Sequence, residues 1–266
     1  LGCYPRRKFK IELKPEAVPY HCARPYPVPV SLHATLKAEL DRQEREDILE
    51  KCYETEWGMP MLVLAKKDGA IQTVDDFREL NKYVIRKKYP LPRIQDVFHR
   101  RQKFKYLTTL DIALCYYTYK LEEASTWYCV LVTPFGKYRH KCVPMGMTQS
   151  SDWAQATLEE TLDGLIRDTM EGFIDDCGLF TPQAEPDPWK HHLSLIDEVM
   201  QRLKSNGYTM NPAKCQWAVS EGPFLGHWLM LDGFKPLNKK VQGILAIAEP
   251  TTLRQLCAFI GMVNFY

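Results

Sequence analysis

Short apolar runs, each followed by turn residues, predict strands and hairpins through the middle of the chain. Residues 59–65 are apolar and lead into a turn that closes with Gly69, which is typical of the first strand of a hairpin. Residues 127–143 hold two apolar runs around a central turn and predict a second hairpin. Residues 106–112 are rich in β-forming side chains and predict a strand that carries Asp111 near its end.

Apolar positions that recur every three or four residues predict helices between these strands. The helix predicted from Asp187 has a clear start, because aspartate is a favoured N-cap and Pro188 suits the first turn. The last helix is predicted to open at Thr252, which forms a capping-box pattern with Gln255. Strands and helices in irregular order indicate an α+β fold. The predicted helices cover residues 31–47, 93–103, 149–170 and 187–207, with two more after residue 236.

Composition limits the class of protein. The 266 residues are 45% hydrophobic, which suffices for one large or two ordinary domains. Six prolines among the first thirty residues predict an extended arm over residues 1–30 and not a packed domain. No apolar run approaches the roughly 20 residues that cross a bilayer, and no signal-peptide pattern opens the chain. Because the chain starts at Leu1 without a methionine and stops within an apolar helical pattern, we expect a segment of a longer polyprotein.

Cysteine spacing and charge narrow the picture further. The nine cysteines are scattered and lack a C-x-x-C pair, which disfavours a disulfide framework and a zinc site and fits a reducing compartment. Net charge is only +2, yet residues 82–105 hold nine basic residues and one acidic residue. Residues 152–198 hold twelve acidic residues and two basic ones. This pattern indicates either a nucleic-acid track beside a metal site or two solvated faces of opposite charge.

Asp175 and Asp176 stand side by side between two short apolar runs, so they are predicted to lie at the tip of a hairpin. Two adjacent carboxylates repel each other unless a cation neutralises them. Hard carboxylate oxygens suit magnesium, and Asp111 supplies a third carboxylate on another predicted strand. A second doublet, Asp75 and Asp76, shows that such pairs also arise by chance.

Ten short motifs follow one another along the chain. They are Trp57 with Pro60, and residues 66–69, 76–82, 89–94, 110–111, 132–136, 144–147, 173–176, 211–215 and 224–227. In these motifs and their order the chain resembles the reverse transcriptases of gypsy-type LTR retrotransposons, distant relatives of retroviral enzymes. The resemblance covers nearly the whole chain. Because Asp76 falls within one of these motifs, the second doublet is interpreted as an ion-pairing site.

The resemblance implies a right-hand polymerase of the α+β class, with an antiparallel palm sheet, fingers and a partial thumb. Residues 1–30 would form the Pro-rich N-terminal arm, residues 31–232 the fingers and palm, and residues 233–266 the start of the thumb. The rest of the thumb and an RNase H domain would be absent from this chain.

The resemblance also implies the metal site. Asp111 and Asp175 would bridge two magnesium ions, for which manganese could substitute, together with the backbone carbonyl of Ile112. Asp176 would assist one ion. Lys214 would protonate the leaving pyrophosphate as a general acid.

Residues that face the nucleotide and the primer follow from the same resemblance. Lys66 would contact the γ-phosphate, and Gln72 stands where relatives carry an arginine that contacts the α-phosphate. Tyr116, five residues past Asp111, would be the steric gate that excludes a 2′-hydroxyl. Met145 would pack against the sugar and base, or simply fill the core. The primer grip would comprise Phe224, Leu225, Gly226 and His227.

Three departures from the family pattern leave more than one function open. Gln72 cannot deliver charge to a phosphate, and relatives often carry glycine and proline where Cys115 and Ser151 stand. The resemblance predicts an RNA-directed DNA polymerase, and the three departures leave two alternatives to it. A catalytically silent nucleic-acid-binding or scaffolding subunit is the first alternative. The second is a metal-dependent nuclease, which would need no nucleotide gate.

The predicted partners are an RNA or DNA template with a primer, and deoxynucleoside triphosphates. The RNase H and integrase parts of a Pol polyprotein are expected too, with a homodimer as a further partner and no membrane. The predicted location is the cytoplasm, in a virus-like particle, with the nucleus as the alternative.

Overall fold

The computed structural model describes residues 1–66, 69–101 and 103–264, within which twelve strands form three sheets. The strands are β1 (Leu49–Cys52), β2 (Met59–Ala65), β3 (Ile71–Asp75), β4 (Phe104–Asp111), β5 (Val130–Thr133), β6 (Gly136–His140), β7 (Met170–Phe173), β8 (Asp176–Pro182), β9 (Gln216–Val219), β10 (Gly222–Phe224), β11 (His227–Met230) and β12 (Gly233–Pro236).

Helices lie between the strands much as the periodicity predicts. They are α1 (His33–Arg45), α2 (Arg78–Asn81), α3 (Ile94–Arg100), α4 (Glu123–Thr126), α5 (Ser150–Thr161), α6 (Pro188–Ser205), α7 (Asn238–Leu245) and α8 (Leu253–Val263), with 3-10 helices at Val30–Leu32 and Cys115–Thr118.

The first sheet has the strand order β1-β6-β5-β2-β3 and contains both hairpins that the sequence predicts. β2 pairs antiparallel with β3, and β5 with β6. The sequence did not indicate that β2 and β5 run parallel. The β2–β3 turn is closed by a hydrogen bond from the Lys66 amide to the Ala70 carbonyl, 2.8 Å long. Lys67 and Asp68 of this predicted turn lie outside the described residues.

The second sheet, β7-β8-β4-β9, is antiparallel throughout, as predicted for the palm. Helix α6 packs on β4 and β8, because its buried stripe includes His192, Leu195 and Val199. The inner strand β4 is fully buried at Leu107 and Thr108, whose side chains point to opposite faces. The strand therefore ends, at Asp111, on a rigid part of the sheet.

The third sheet, β10-β11-β12, lies beside the palm. A separate apolar cluster joins the two, with Phe224 and Leu229 from the small sheet packed among Phe98, Phe104 and Phe180. The rings of Phe180 and Phe224 meet edge to face, 5.9 Å between centroids. This packing fixes the small sheet relative to β4 and β8.

Among the described residues before Val30, the proline-rich arm forms no helix or strand, and it is part of the core. Phe9 is fully buried, and Tyr4 and Ile11 are nearly so. The Phe9 amide donates to the Lys120 carbonyl, and the Phe9 carbonyl accepts from Glu122. Farther along, the Cys22 amide donates to Gly58. The arm therefore bonds both to the segment that follows the 3-10 helix Cys115–Thr118 and to the residue that precedes β2.

Local signals at helix starts are confirmed, whereas one predicted helix is too long. The side chain of Asp187 accepts a hydrogen bond from the Lys190 amide, and Thr252 forms the predicted capping box with Gln255. The helix predicted over 149–170 ends at Thr161, and Gly164 then turns the chain at φ +79°. None of the helices in the described ranges is long and apolar enough to cross a membrane.

Candidate active site

The aspartate doublet lies at the tip of the β7–β8 hairpin, as the sequence predicts. Phe173 pairs with Asp176, so the connecting turn consists of Ile174 and Asp175. Ile174 has φ +60°, which is strained for a β-branched residue. Behind the turn, a Cβ on Gly172 would lie 2.8 Å from Leu158 Cδ2, so a larger residue there would require the buried Leu158 side chain to shift.

Gln155 of α5, which the sequence analysis missed, holds this hairpin in place. Its Oε1 accepts a hydrogen bond from the Ile174 amide (2.9 Å), and its Nε2 donates to the Gly172 carbonyl (3.0 Å). The side chain is fully buried. The buried face of α5 also carries Asp152, Thr157 and Thr161, so the sequence carried no clear signal that Gln155 would find its partners across the hairpin.

Asp111 is brought beside the doublet by strand pairing. Asp111 at the end of β4 lies directly opposite Asp176 at the start of β8. The Ile112 amide donates to the Asp175 carbonyl, 2.9 Å away, which ties the end of β4 to the hairpin tip. The structure therefore gathers the three predicted carboxylates at one edge of the palm sheet.

The two carboxylates of the doublet, Asp175 and Asp176, both have a raised pKa. Burial, followed by the charges of Asp175 and Asp111, raises the pKa of Asp176 to about 6. Partial desolvation and the charge of Asp111 also raise the pKa of Asp175. Lys214 opposes both shifts. A group of acids that repel one another in this way favours binding of a cation.

Lys214 supplies one positive charge to this group. Its Nζ lies 3.1 Å from Oδ2 and 3.4 Å from Oδ1 of Asp111. The backbone brings the lysine there, because the Asn211 amide donates to the Asp111 carbonyl just before the Lys214 turn. The predicted general acid is thus at the site, in contact with a carboxylate.

The predicted magnesium site is supported by donor chemistry more than by the present side-chain arrangement. In the described part of the chain, no three His, Cys, Asp or Glu side chains are gathered closely enough to hold one ion. Asp111 instead contacts Lys214, so its carboxylate would have to turn to share an ion with Asp175. Hard oxygen donors and mutual repulsion still fit a divalent cation. The metal roles of Asp111, Ile112, Asp175 and Asp176 remain predictions.

A cavity of about 220 Å³ opens beside these residues, and Asp111, Asp176 and Lys214 line one side of it. The turn between β10 and β11 lines the other side with Phe224, Leu225 and Gly226, three of the four predicted primer-grip residues. Leu225 and Gly226 have φ of +45° and +78°, as a tight two-residue hairpin turn requires.

His227, the fourth predicted primer-grip residue, points elsewhere. Its ring is buried and packs against Phe98 and Phe234, with centroids 4.8 and 5.7 Å away. The ring thus packs the small sheet, and its Nδ1 lies 3.1 Å from the Leu225 carbonyl of the turn; its part in the primer grip remains a prediction.

Two predicted nucleotide-facing residues lie on the loops that border α5. Tyr116 is half-buried in the 3-10 helix Cys115–Thr118, and its hydroxyl is hydrogen-bonded to Ser151, 3.0 Å away. Met145 is 42% exposed, so it is not the core filler that the sequence also allowed.

Asn81 is a second residue that sequence analysis did not single out. Its side chain forms two hydrogen bonds to the loop of residues 145–148, here called the Met145 loop. Its side-chain amide donates to the Gly146 carbonyl and accepts from the Thr148 amide, each at 3.0 Å. Gly146 has φ +89°, and a Cβ there would lie 2.9 Å from the Asp75 carbonyl, so the loop requires glycine.

Lys66 and Gln72 lie on the β2–β3 hairpin, in a different sheet from the aspartates. Gln72 is exposed and pairs across the hairpin with Leu64. The structure does not bring either residue into contact with the carboxylates, so their predicted nucleotide contacts remain predictions.

Comparison with known proteins identifies the family. The profile of the reverse transcriptase (RNA-dependent DNA polymerase) family matches residues 64–229. The chain belongs to this family. Pol polyprotein from Drosophila melanogaster transposon 297, described as retrovirus-related, is 27% identical over 210 residues, which are 79% of this chain and 19% of that protein. The Tf2-3 transposon polyprotein of Schizosaccharomyces pombe is 25% identical over 258 residues, which are 97% of this chain and 19% of that protein.

This reverse-transcriptase chain therefore spans about a fifth of the length of these curated relatives. The prediction of a retrotransposon-type reverse transcriptase domain is confirmed, while the narrower gypsy-type assignment remains a prediction. Solved structures of foamy viral protease-reverse transcriptase have the same fold. The complex with double-stranded DNA has a TM-score of 0.87 at 20% identity, covering 99% of this chain and 53% of that one. The RNA/DNA hybrid complex has a TM-score of 0.84 at 19% identity, covering 99% and 34%.

Three residues of the basic run of this reverse transcriptase form ion pairs with the acidic run, so the two runs are not two separate solvated faces. Arg86 pairs with the buried carboxylate of Asp152, 2.6 Å away. Arg100 and Arg101 both pair with Glu171, which is 2% exposed. Within the described ranges, four basic residues of the run have no carboxylate within 4.0 Å, namely Lys88, Arg93, Lys103 and Lys105.

Asp76 forms the ion pair that the sequence predicts. Its two carboxylate oxygens accept from the Arg78 guanidinium at 2.8 and 2.6 Å, and the Tyr26 hydroxyl donates at 3.0 Å. The hydrogen bonds from Arg78 lower the pKa of Asp76 to about 2.

Each of the nine cysteines is a free thiol, and seven of them are not exposed.

Proposed function

We propose that the chain synthesises DNA from a primer on an RNA or DNA template. The observation that carries this proposal is the pairing of Asp111 with Asp176, beside Asp175 at the hairpin tip, in a chain of the reverse transcriptase family. The raised pKa values of Asp175 and Asp176 support a cation at this edge.

Asp111 and Asp175 are the proposed ligands of two magnesium ions, with the Ile112 carbonyl, and Asp176 assists. When bound, magnesium lowers the pKa of the primer 3′-hydroxyl and neutralises charge on the leaving pyrophosphate. Manganese would serve as a substitute because it also prefers oxygen ligands. The side chain of Asp111 would exchange its contact with Lys214 for the ion.

Lys214 is the proposed general acid. Released from Asp111, its ammonium would donate a proton to the pyrophosphate oxygen that forms as the chain grows. The Lys214 side chain is 65% exposed, so it can change rotamer and reach other parts of the cavity.

The incoming deoxynucleoside triphosphate would lie between the β2–β3 hairpin and the palm. Lys66 would contact its γ-phosphate, Tyr116 would exclude a 2′-hydroxyl, and the exposed Met145 would pack on the sugar and base. The hairpin of Phe224, Leu225, Gly226 and His227 would hold the primer end beside Asp111, and the first three of these residues line the 220 Å³ cavity.

The proposed partners are a template with its primer, nucleotides and the remainder of a Pol polyprotein. Foamy viral protease-reverse transcriptase has been captured with both an RNA/DNA hybrid and double-stranded DNA, which supports a duplex partner here. A homodimer in a cytoplasmic virus-like particle is the corresponding assembly.

A silent subunit remains the second candidate, because Gln72 replaces a positive charge on an exposed strand. Family membership gives no support to the nuclease alternative. Primer extension on an RNA template with magnesium, run beside Asp175→Asn, distinguishes the two candidates. Extension by the parent alone supports the polymerase. Template-primer binding without extension by either protein supports the silent subunit, and Gln72→Arg would then test whether one restored charge revives synthesis.

A further inference from the structure

Tyr116 and Ser151 are joined by a hydrogen bond between their side-chain hydroxyls, 3.0 Å between Tyr116 Oη and Ser151 Oγ. Tyr116 belongs to the 3-10 helix that follows β4, and Ser151 is the second residue of α5. Both side chains are half-buried. The bond therefore spans the gap between two elements that border the proposed nucleotide site.

The serine end of this bond is rigidly anchored. The hydroxyl of the preceding residue, Ser150, is buried and donates to the Pro144 carbonyl at 2.8 Å. The Ser150 amide donates to the Met147 carbonyl, which closes the loop into the helix. Ser151 is thus presented by a fixed first turn of α5.

The backbone near Tyr116 is held in place, whereas its ring can change rotamer. Leu114 turns the chain at φ +51°, and the Tyr117 amide donates to its carbonyl. Among described residues, the only hydrogen bond of the Tyr116 side chain is the one to Ser151. Burial raises the pKa of Tyr116, so the phenol keeps its proton and can donate at neutral pH. Loss of the bond would free the ring to change rotamer.

We propose that Ser151 is a positioning residue that holds the Tyr116 ring against the sugar of the incoming nucleotide and so sets the preference for deoxyribonucleotides. This proposal rests on the proposed function. The ring excludes a 2′-hydroxyl only while it stays in place, because the group to be rejected is a single oxygen.

The test compares kcat/KM for a deoxynucleotide with kcat/KM for the matching ribonucleotide in single-nucleotide incorporation. Ser151→Ala is expected to lower this ratio by about threefold to tenfold, the effect of one neutral hydrogen bond. The change should come from better use of the ribonucleotide. Ser151→Thr keeps the hydroxyl and should keep a ratio close to that of the parent. Ser205→Ala is the matched control, since Ser205 is exposed and, among the described residues, its hydroxyl donates only to the Arg202 carbonyl of its own helix.

A second measurement tests the bond without catalysis. The urea unfolding midpoints of Tyr116→Phe, Ser151→Ala and the double variant should be non-additive, because the first substitution already removes the shared bond. Additive midpoints overturn the proposal. An unchanged ratio in Ser151→Ala, with an active parent, overturns it while leaving the proposed function intact. A parent that incorporates no nucleotide overturns the proposed function and this proposal with it.

Discussion

Replacement of Gln155 by methionine should loosen the hairpin that carries Asp175 and Asp176. Methionine has a similar length but forms no hydrogen bonds of comparable strength, so the Ile174 amide and the Gly172 carbonyl would each lose a partner. The Gly172 carbonyl is buried and would stay unsatisfied, which costs about 1–3 kcal/mol. Ile174 is half-exposed, so water can replace part of its lost bond.

The expected loss in the free energy of unfolding is therefore about 2–4 kcal/mol, measured by urea unfolding. Nucleotide incorporation should fall further than stability alone explains, by about a hundredfold, because a displacement of about 1 Å at a reacting centre has that effect. Both quantities are to be measured below the unfolding transition.

Gln201→Met provides the matched control for this experiment. Gln201 is also a helical glutamine, but it is exposed, and among the described residues its side chain bonds only to Asp197 on the same helix. Its replacement should change stability by no more than about 0.5 kcal/mol. If Gln155→Met matched Gln201→Met in both stability and incorporation, the assignment of Gln155 as the hairpin support would be wrong.

Three further predictions concern other residues that the structure singles out. His192 is fully buried and its pKa is lowered from 6.5 to about 4, mainly by burial, so the unfolded chain alone gains this proton as the pH falls from 6.5. The parent should lose about 3 kcal/mol between pH 6.5 and pH 4 that His192→Phe does not lose, as urea titrations at each pH would reveal. Asn81→Ala should raise KM for the nucleotide more than it lowers kcat in steady-state kinetics, because the Met145 loop loses two hydrogen bonds. Equal fold-changes in KM and kcat would argue against a role of Asn81 in nucleotide binding. Glu171→Gln should destabilise the fold by about 3–5 kcal/mol in urea, because Arg101 is left buried without a counter-charge, and a change below 1 kcal/mol would contradict this.

Local signals allowed much of the fold and site to be predicted from the sequence. The hairpin that carries Asp175 and Asp176 followed from two apolar runs around a charged doublet, and the starts of α6 and α8 followed from Asp187 and Thr252. In each case the residues that decide the structure are within a few positions of one another. The roles of the site residues came from the family resemblance and remain predictions.

Contacts between distant residues were the part that the sequence could not predict. Arg101 and Glu171 are 70 residues apart, so the basic and acidic runs looked like separate surfaces. The Phe9 backbone bonds to Lys120 and Glu122, and its ring packs edge to face on Trp153, contacts that no local pattern near the arm indicates. Gln155 is neutral in helix propensity, and only its hydrogen bonds across to β7 and the hairpin turn reveal its importance.

The central claim is that Asp111, Asp175 and Asp176 form a magnesium-dependent centre for DNA synthesis. The most direct test is single-nucleotide incorporation on an RNA template-primer over a magnesium titration. The parent is compared with Asp111→Asn and with a control, Asp197→Asn, whose aspartate lies on the exposed side of α6. Asn keeps the size of the side chain and removes its charge. We predict saturable incorporation by the parent and Asp197→Asn, and none by Asp111→Asn at any magnesium concentration. Incorporation by Asp111→Asn at the parent's rate and magnesium dependence would contradict the account.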